Sequence, residues 1–484
     1  MMQIPRRKPL TAEIAVFSVG LDTYWKQFPG LLEEMHRKTG ILLKKLEKHQ
    51  VHVTDFGMID NAAKAYETLP AIKAADPDVL LVDMVTYATS ITFAPILREM
   101  NCPVVLLALQ PLQAMDYANG TTYIQLCNDD FCSVPEFTGV AIRMGKPVAD
   151  IIIGVLENDD DADRKIEQWC RIAHARHDLR RARLGLMGHV LDTMLDMQTD
   201  PTAVTAAFGA HLVPCEPDEI MIEYQALADN DSAVRDMSGR ILDFFDTPDP
   251  GADPIAEKLT KEDLLTASRT AVALERFIAK KQLDGFAYYY EAQPASEMRK
   301  LVTNFIVGNS LLTGAGFPMC GEFDIKTCIA MLIMDRLEIG GSFAEFHPID
   351  FARDTVLVGH DGPHHVNIAD RKPVIRSLKK YHGKPGSGAG IEFNIKTGPI
   401  TLLSIGMTAE GKFKFVIAEG ESMSGPIPPT GNTNTHGQFQ PDIRTFLTNW
   451  CKVGPTHHFA LGVGHHADSL QKIAESFQLD SVIV

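Results

Sequence analysis

Four short stretches in the second half of the chain set acids and imidazoles beside glycines: Glu322 in MCGEFDIKT, Glu345 in GGSFAEFHPID, His360 and Asp361 in VLVGHDGPHH, and His457 and His458 in GPTHHFALG. Carboxylate oxygens are hard ligands and imidazole nitrogens borderline ones. Two carboxylates plus imidazoles, without a thiolate, suit an open site for Mn²⁺, Mg²⁺ or Co²⁺ better than a closed structural zinc. Taken singly, a Glu after a glycine is a turn or cap residue, and a His pair beside a strand packs or faces solvent. Their joint occurrence is what points to a divalent metal.

Other chemistries find less support. Gly383 to Gly390 (GKPGSGAG) lacks the Walker spacing and precedes a strand pattern, so it reads as a hairpin loop and not as a phosphate cradle. Gly308 to Gly316 (GNSLLTGAG) lacks the dinucleotide fingerprint, and Gly420 to Gly425 (GESMSG) has the wrong spacing for a nucleophile elbow. The eight cysteines are scattered with no C-x-x-C pair, which reads as reduced, mostly buried thiols in a cytoplasm. With 46 Lys+Arg against 62 Asp+Glu the net charge is −16, which opposes nucleic acid and anionic membranes. No apolar run is long enough to span a bilayer, and the short apolar stretch behind the N-terminal basic residues reads as a first strand.

The elements that must position these residues follow from periodicity. At about 150 residues per domain, 484 residues predict roughly three domains. Ile14 to Val19, Val51 to Phe56, Val79 to Asp83 and Pro103 to Leu109 read as strands, and Leu31 to Lys48 and Asn61 to Ala75 as helices between them. Such alternation predicts a parallel sheet covered on both faces. The acidic run Glu157 to Asp163 opens a helix, Arg164 to Arg183, read as a solvated connector. The pattern restarts at Ala182 to Met187, continues through the helices Glu216 to Ala228 and Thr266 to Lys281, and reaches a strand at Gly285 to Tyr290. Beyond residue 335, Thr355 to Val358, Ile391 to Lys396, Ile400 to Met407 and Lys412 to Glu419 are strand-like runs between Gly and Pro turns, while Gly425 to Gly437 reads as an extended loop. The expected architecture is two Rossmann-like or flavodoxin-like α/β domains, over 1–170 and 171–330, followed by a β-rich small barrel over 331–484 that carries most of the metal-site residues.

In order and interval, GEFDIKT, GGSFAEF, VLVGHD, FNIKTGP and GPTHHFALG resemble the L-arabinose isomerase branch of the L-fucose/L-arabinose isomerase family, with this chain as a divergent member. The likeness is strongest from Gly321 to His458, about a quarter to a third of the chain, and weaker through Leu184 to Met194 and the opening SVGLDTYWKQF. The resemblance implies that Glu322, Glu345, His360 and His458 hold a divalent ion, Mn²⁺ with Co²⁺ or Mg²⁺ as alternatives. It also implies a cytoplasmic homo-oligomer, hexamer or tetramer, whose active site lies between subunits, with Tyr24, Trp25 and Glu136 as candidates for the contribution in trans.

The departures bear on substrate. Where the arabinose enzymes carry a sugar-contacting His, four residues before the Glu matched by Glu136, this chain has Cys132; His364 and His365 add polar groups where those enzymes are more apolar. The resemblance therefore implies an aldose-ketose isomerase acting on a monosaccharide other than L-arabinose. Glu322 and Glu345 would be the acid/base pair, and His457 would touch a sugar oxygen or hold its neighbour. The alternatives are a metal-dependent sugar epimerase or lyase, or a noncatalytic sugar-binding protein, against which the two intact carboxylates argue.

Overall fold

The computed structural model describes residues 4–191, 194–249, 256–378, 380–381, 384–385, 388–426 and 433–484. The chain divides into two compact units, one of Leu10–Asp178 and one of Met1–Pro9 with Leu179–Val484.

In the first unit a parallel sheet runs in the order His52–Ile59, Glu13–Val19, Val79–Asp83, Val104–Gln110, Asp150–Val155; its three central strands are short apolar runs buried on both faces, and the two outer ones are only partly buried. This is the flavodoxin-like arrangement. The helices Leu31–Leu46 and Ala62–Ala75 fall where the periodicity predicts, the second capped by the Asn61 side chain, which accepts the Lys64 N–H at 3.1 Å. The fifth strand was not foreseen. The helix Asp160–Arg181 is also no solvated connector: Trp169 and Ile172 are buried, and the Trp169 indole donates to Asp150 at 2.9 Å. Its many charges hide an apolar stripe at helical spacing, which composition alone does not reveal.

Beside a three-stranded antiparallel sheet of Ala389–Glu392, Val374–Leu378 and Ala256–Glu257 and a two-stranded one of Lys380–Tyr381 and Lys384–Pro385, the second unit holds two large sheets. One is parallel, in the order Met319–Cys320, Gly285–Tyr288, Arg183–Met187, His211–Cys215. The helix Ile325–Arg336 is buried along its whole length: Cys328 to Met334 are apolar on every face, and the charged Lys326, Asp335 and Arg336 near its ends have polar partners. The other sheet closes on itself as a six-stranded barrel, running Gly398–Met407, Phe459–Val463, Gly340–Asp350, Thr355–His360, Thr433–Gln438, Phe413–Met423 and back to the first, with Asp480–Ile483 added in parallel. Closure leaves the six strands without an edge. Phe346, Phe439, Phe446, Trp450 and Phe459 pack against one another, with Phe439 and Phe446 stacked at 4.0 Å.

Several expectations for this region need correction. Thr433–Gln438 is a barrel strand and not the end of a loop; its Thr435 hydroxyl meets Ser422 at 2.6 Å and its Thr433 hydroxyl accepts the Phe393 N–H at 3.3 Å. Residues 427–432 of that stretch lie outside the described residues, as do 383, 386 and 387 of GKPGSGAG. The strand expected at Ile391 to Lys396 is Ala389–Glu392, and Phe459–Val463 and Gly340–Asp350 were missed because their apolar runs are short or interrupted by charge. Among the described residues no helix is long and apolar enough to cross a membrane, and all eight cysteines are free thiols.

Candidate functional site

Within the second unit, the carboxyl ends of the parallel strands and one end of the barrel line a common cavity of about 340 Å³. Carboxyl ends of parallel strands are where α/β sheets bind ligands, because the helices that follow leave a crevice there. Tyr288 closes one strand and Tyr290 follows it. Beyond Met319–Cys320 the chain turns through Glu322 and Phe323, both at positive φ (58° and 63°), before the helix begins. Two consecutive non-glycine residues in the left-handed region store strain that the surrounding structure must hold. Asp324 caps the helix, accepting the Thr327 N–H at 3.1 Å and its hydroxyl at 2.7 Å.

The barrel supplies the other groups by register. Phe343, Glu345 and His347 alternate along one strand and so share a face. Glu345 pairs with Gly359, and Ala344 pairs with Phe459, the residue after His458. The glycine before His360 is obligatory: a Cβ at Gly359 would lie 2.0 Å from the Thr433 carbonyl oxygen.

The side chains of Glu322, Glu345, His360 and His458 converge. His458 Nε2 stands 3.7 Å from Glu322 Oε2, and His360 Nε2 stands 3.9 Å from Glu322 Oε1 and 4.0 Å from Glu345 Oε1. The ring of Phe343 packs against both imidazoles, at 4.5 Å and 4.3 Å. Two overlapping triads have ligand atoms close enough to share one ion: Glu322, His360 and His458, and Glu345, His457 and His458.

The tautomers fit such an ion. His458 is fully buried, and its Nδ1–H donates to Asp324 at 3.1 Å; a carboxylate only accepts, so Nε2 is left bare, and it has no hydrogen-bond partner. His360 Nδ1–H donates to the Asp361 carbonyl at 2.7 Å, which likewise leaves Nε2 deprotonated and facing the acids. An orphaned buried nitrogen is costly, and the bare Nε2 of His458, with His360 and two carboxylates close by, makes the donor set of a divalent cation.

The carboxyls differ in environment. Burial, reinforced by the charge of Glu345, holds the Glu322 carboxyl above its usual range against the pull of His458. Burial would also raise Glu345, but His457, with Nε2 at 2.6 Å from Oε2, and the charges of His360 and His347 bring it down to about 2. His457 is raised by the same hydrogen bond. Burial would lift Asp324 too, yet the hydrogen bonds from His458 and Thr327 hold it below the usual carboxylate range.

Of the residues singled out from sequence, Tyr24, Trp25, Cys132 and Glu136 belong to the first unit. There the Trp25 indole donates to Asp60 at 2.8 Å, Tyr24 packs against Phe28 and Tyr87, Glu136 accepts the Ser90 N–H at 2.8 Å, and Cys132 is exposed. His364 and His365 do not line this cavity, contrary to the expectation that they enrich a sugar pocket. His364 is buried, with Nε2 3.3 Å from the Thr433 amide nitrogen, because the turn after Asp361 carries the pair away from the acids. The sequence reading missed Asp324, whose place two residues after Glu322 and just ahead of an apolar run was the available signal. It also missed His347, 3.8 Å from Glu345, and the apolar wall of Tyr288, Tyr290, Val302 and Ile306, which carries no motif.

Comparison with known proteins bears on what this arrangement does. Residues 340–480 match the model of the L-arabinose isomerase C-terminal domain. An L-arabinose isomerase of a Nocardioides species is 24% identical over 397 residues, covering 80% of this chain and 76% of that protein. L-arabinose isomerases of a Shewanella species and of Yersinia pseudotuberculosis are each 22% identical, covering 72% of this chain and 69% of theirs.

Proposed function

The chain is a divergent member of the L-arabinose isomerase family, and from that premise we propose that it interconverts an aldose and a ketose with the help of a divalent metal, Mn²⁺ with Co²⁺ or Mg²⁺ as substitutes. The observation that carries the reading is the meeting of Glu322, Glu345, His360 and a bare, buried His458 nitrogen beside a cavity large enough for a monosaccharide. These four residues would hold the ion. When bound, it supplies Lewis-acid polarisation of the carbonyl and neutralises negative charge growing on oxygen.

The proton transfers fall to the two carboxylates. In the aldose-to-ketose direction one removes the C2 proton while the other delivers a proton to O1, giving an enediol. The first then returns its proton to C1 while the second takes the proton of O2, so that C2 becomes the carbonyl and no atom is gained or lost. Glu345, oriented by His457 at 2.6 Å, suits the carbon-directed transfer, which needs a fixed base; Glu322 suits the oxygen-directed one. Tyr288, Tyr290, Val302, Ile306 and Phe343 wall the sugar off from water on one side.

The substrate in this proposal is not L-arabinose, since Cys132 replaces a sugar-contacting His and the cavity wall is aromatic and aliphatic. The proposal keeps residues 1–170, 171–330 and 331–484 as functional segments. The first covers the site of a neighbouring subunit through Tyr24, Trp25 and Glu136, in a cytoplasmic hexamer or tetramer.

The test is exchange of the substrate C2 proton with solvent deuterium, read by NMR over a panel of aldoses and ketoses with metal-stripped and Mn²⁺-reloaded protein. Metal-dependent exchange with ketose formation is expected. Glu345→Gln should lower turnover by about 10³-fold or more, roughly 4 kcal/mol of activation free energy, with little change in folding. Near-wild-type turnover in that variant would falsify the assignment.

A further inference from the structure

The second unit contains another cavity, of about 500 Å³, which shares no lining residue with the first. Arg6, Asp335, His365, Asn367 and Lys396 line it. His365 is only 4% exposed, yet neither of its ring nitrogens has a hydrogen-bond partner, and Nε2 stands 3.7 Å from Asp335 Oδ1, beyond hydrogen-bond length. A buried imidazole with Nδ1 unpartnered and Nε2 held only by a long contact to Asp335 is uncommon, because a lost bond forfeits the solvation given up on burial.

The charges that line it are equal in number but not paired one to one. Asp335 is met by two guanidiniums, Arg6 at 2.7 Å and its neighbour Arg336. Lys396 gives one of its three N–H donors to the Asn367 carbonyl at 3.1 Å. Among the lining residues Arg6 and Lys396 against Asp335 and Glu338 give 2 − 2, no net charge, but Arg6 is spent on Asp335 while Lys396 meets no carboxylate among the described residues. The Arg6 contact is built in: Gly316 lies at φ 84°, and a Cβ there would sit 2.6 Å from Arg6 Nη1. The volume lies within the range of small-molecule sites, about 300–1,000 Å³.

We propose that this cavity is a second ligand site, taking a sugar-sized organic anion whose carboxylate or phosphate is held by Lys396, His365 and Arg6. Lys396 and His365 supply unspent donors, and a hydroxyl of the same molecule can bridge the gap between His365 and Asp335. The inference does not rest on the isomerase reading, because no residue of the carboxylate and histidine cluster takes part.

Isothermal titration calorimetry on the full chain, metal-stripped and with Mn²⁺, tests it with three probes: gluconate for a carboxylate, glucose 6-phosphate for a phosphate on a sugar, and inorganic phosphate for the bare anion. At least one organic anion is expected to bind at or below about 1 mM and more tightly than inorganic phosphate. Lys396→Gln and His365→Gln should each weaken it by about tenfold while leaving Mn²⁺ binding unchanged. No heat from any probe up to about 10 mM, or equal binding by wild type and Lys396→Gln, would overturn the proposal. Lys396 is only half-buried, so its variant decides the matter even if His365→Gln fails to fold.

Discussion

Each unit buries a cluster of charged side chains, and the two are finished differently. In the first unit Lys38, only 1% exposed, spends all three donors inside the protein, on the Val85 carbonyl at 2.7 Å, the Cys127 carbonyl at 2.9 Å and Asp130 at 2.6 Å, while Asp83 accepts the Thr39 hydroxyl at 2.8 Å. In the second, Glu322, Glu345 and His360 border a cavity, and the bare nitrogen of His458, 3.7 Å from Glu322, has no hydrogen-bond partner in the protein. Low dielectric raises the stakes of every polar contact in both places. The lysine cluster satisfies its cation with protein groups and serves the fold. The histidine cluster keeps its donor atoms pointed at a space that something else must fill. Burial of charge by itself therefore does not mark a functional site; an unmet atom facing a cavity does.

Breaking the closed cluster should have the largest effect on folding. Lys38→Met leaves Asp130 buried without its cation and is expected to destabilise the first unit by about 3–5 kcal/mol, read by hydrogen exchange of its strands, with Mn²⁺ affinity of the second unit unaffected. A stability loss under about 1 kcal/mol would erase the distinction between the clusters.

Next comes pH. Burial, only partly offset by Thr39 and Lys38, pushes the Asp83 carboxyl up to about 6. A folded-state value above the unfolded one means that the native state holds the proton longer. The stabilisation is full below pH about 4 and is lost as pH rises through about 6, a fall of about 2–3 kcal/mol. Asp83→Asn should flatten that slope in the first unit, and an unchanged slope would show that other groups set it.

The smallest effect sharpens the open cluster. Asp324→Asn keeps a helix cap, since Asn caps as well as Asp, but with its oxygen on the Thr327 N–H it turns an NH2 donor toward His458 Nδ1 in place of the accepting Oδ2. Mn²⁺ affinity should fall by about 10–100-fold, measured by calorimetry, with the helix Ile325–Arg336 intact. Unchanged affinity would reduce Asp324 to a cap alone.

Much of this was legible in the sequence, for reasons that differ by region. The strands Val79–Asp83 and Val104–Gln110 are unbroken apolar runs bounded by turn residues, and such runs have one stable home, a sheet buried on both faces. Glu322, Glu345, His360 and His458 stood out because acids and imidazoles beside glycines are few. Asp324 did not, since the residue that fixes a tautomer looks like any helix cap until its second acceptor contact is seen. Thr433–Gln438 reads as loop because Thr, Asn and His are polar; its place between two barrel strands pairs its backbone and gives the Thr435 hydroxyl a partner in Ser422.

By itself the sequence determined the α/β alternation, the β-rich end, the family and the chemical types available, because these depend on periodicity and on residues close together in the chain. Only the tertiary structure decided which atoms meet. Barrel closure pairs Ala344 with Phe459 and Glu345 with Gly359, contacts that join strands about 15 to 115 residues apart. It also decided that His365 turns from the acids to a cavity of its own, since the direction of a side chain after a turn is set by what packs behind it and not by the motif that contains it.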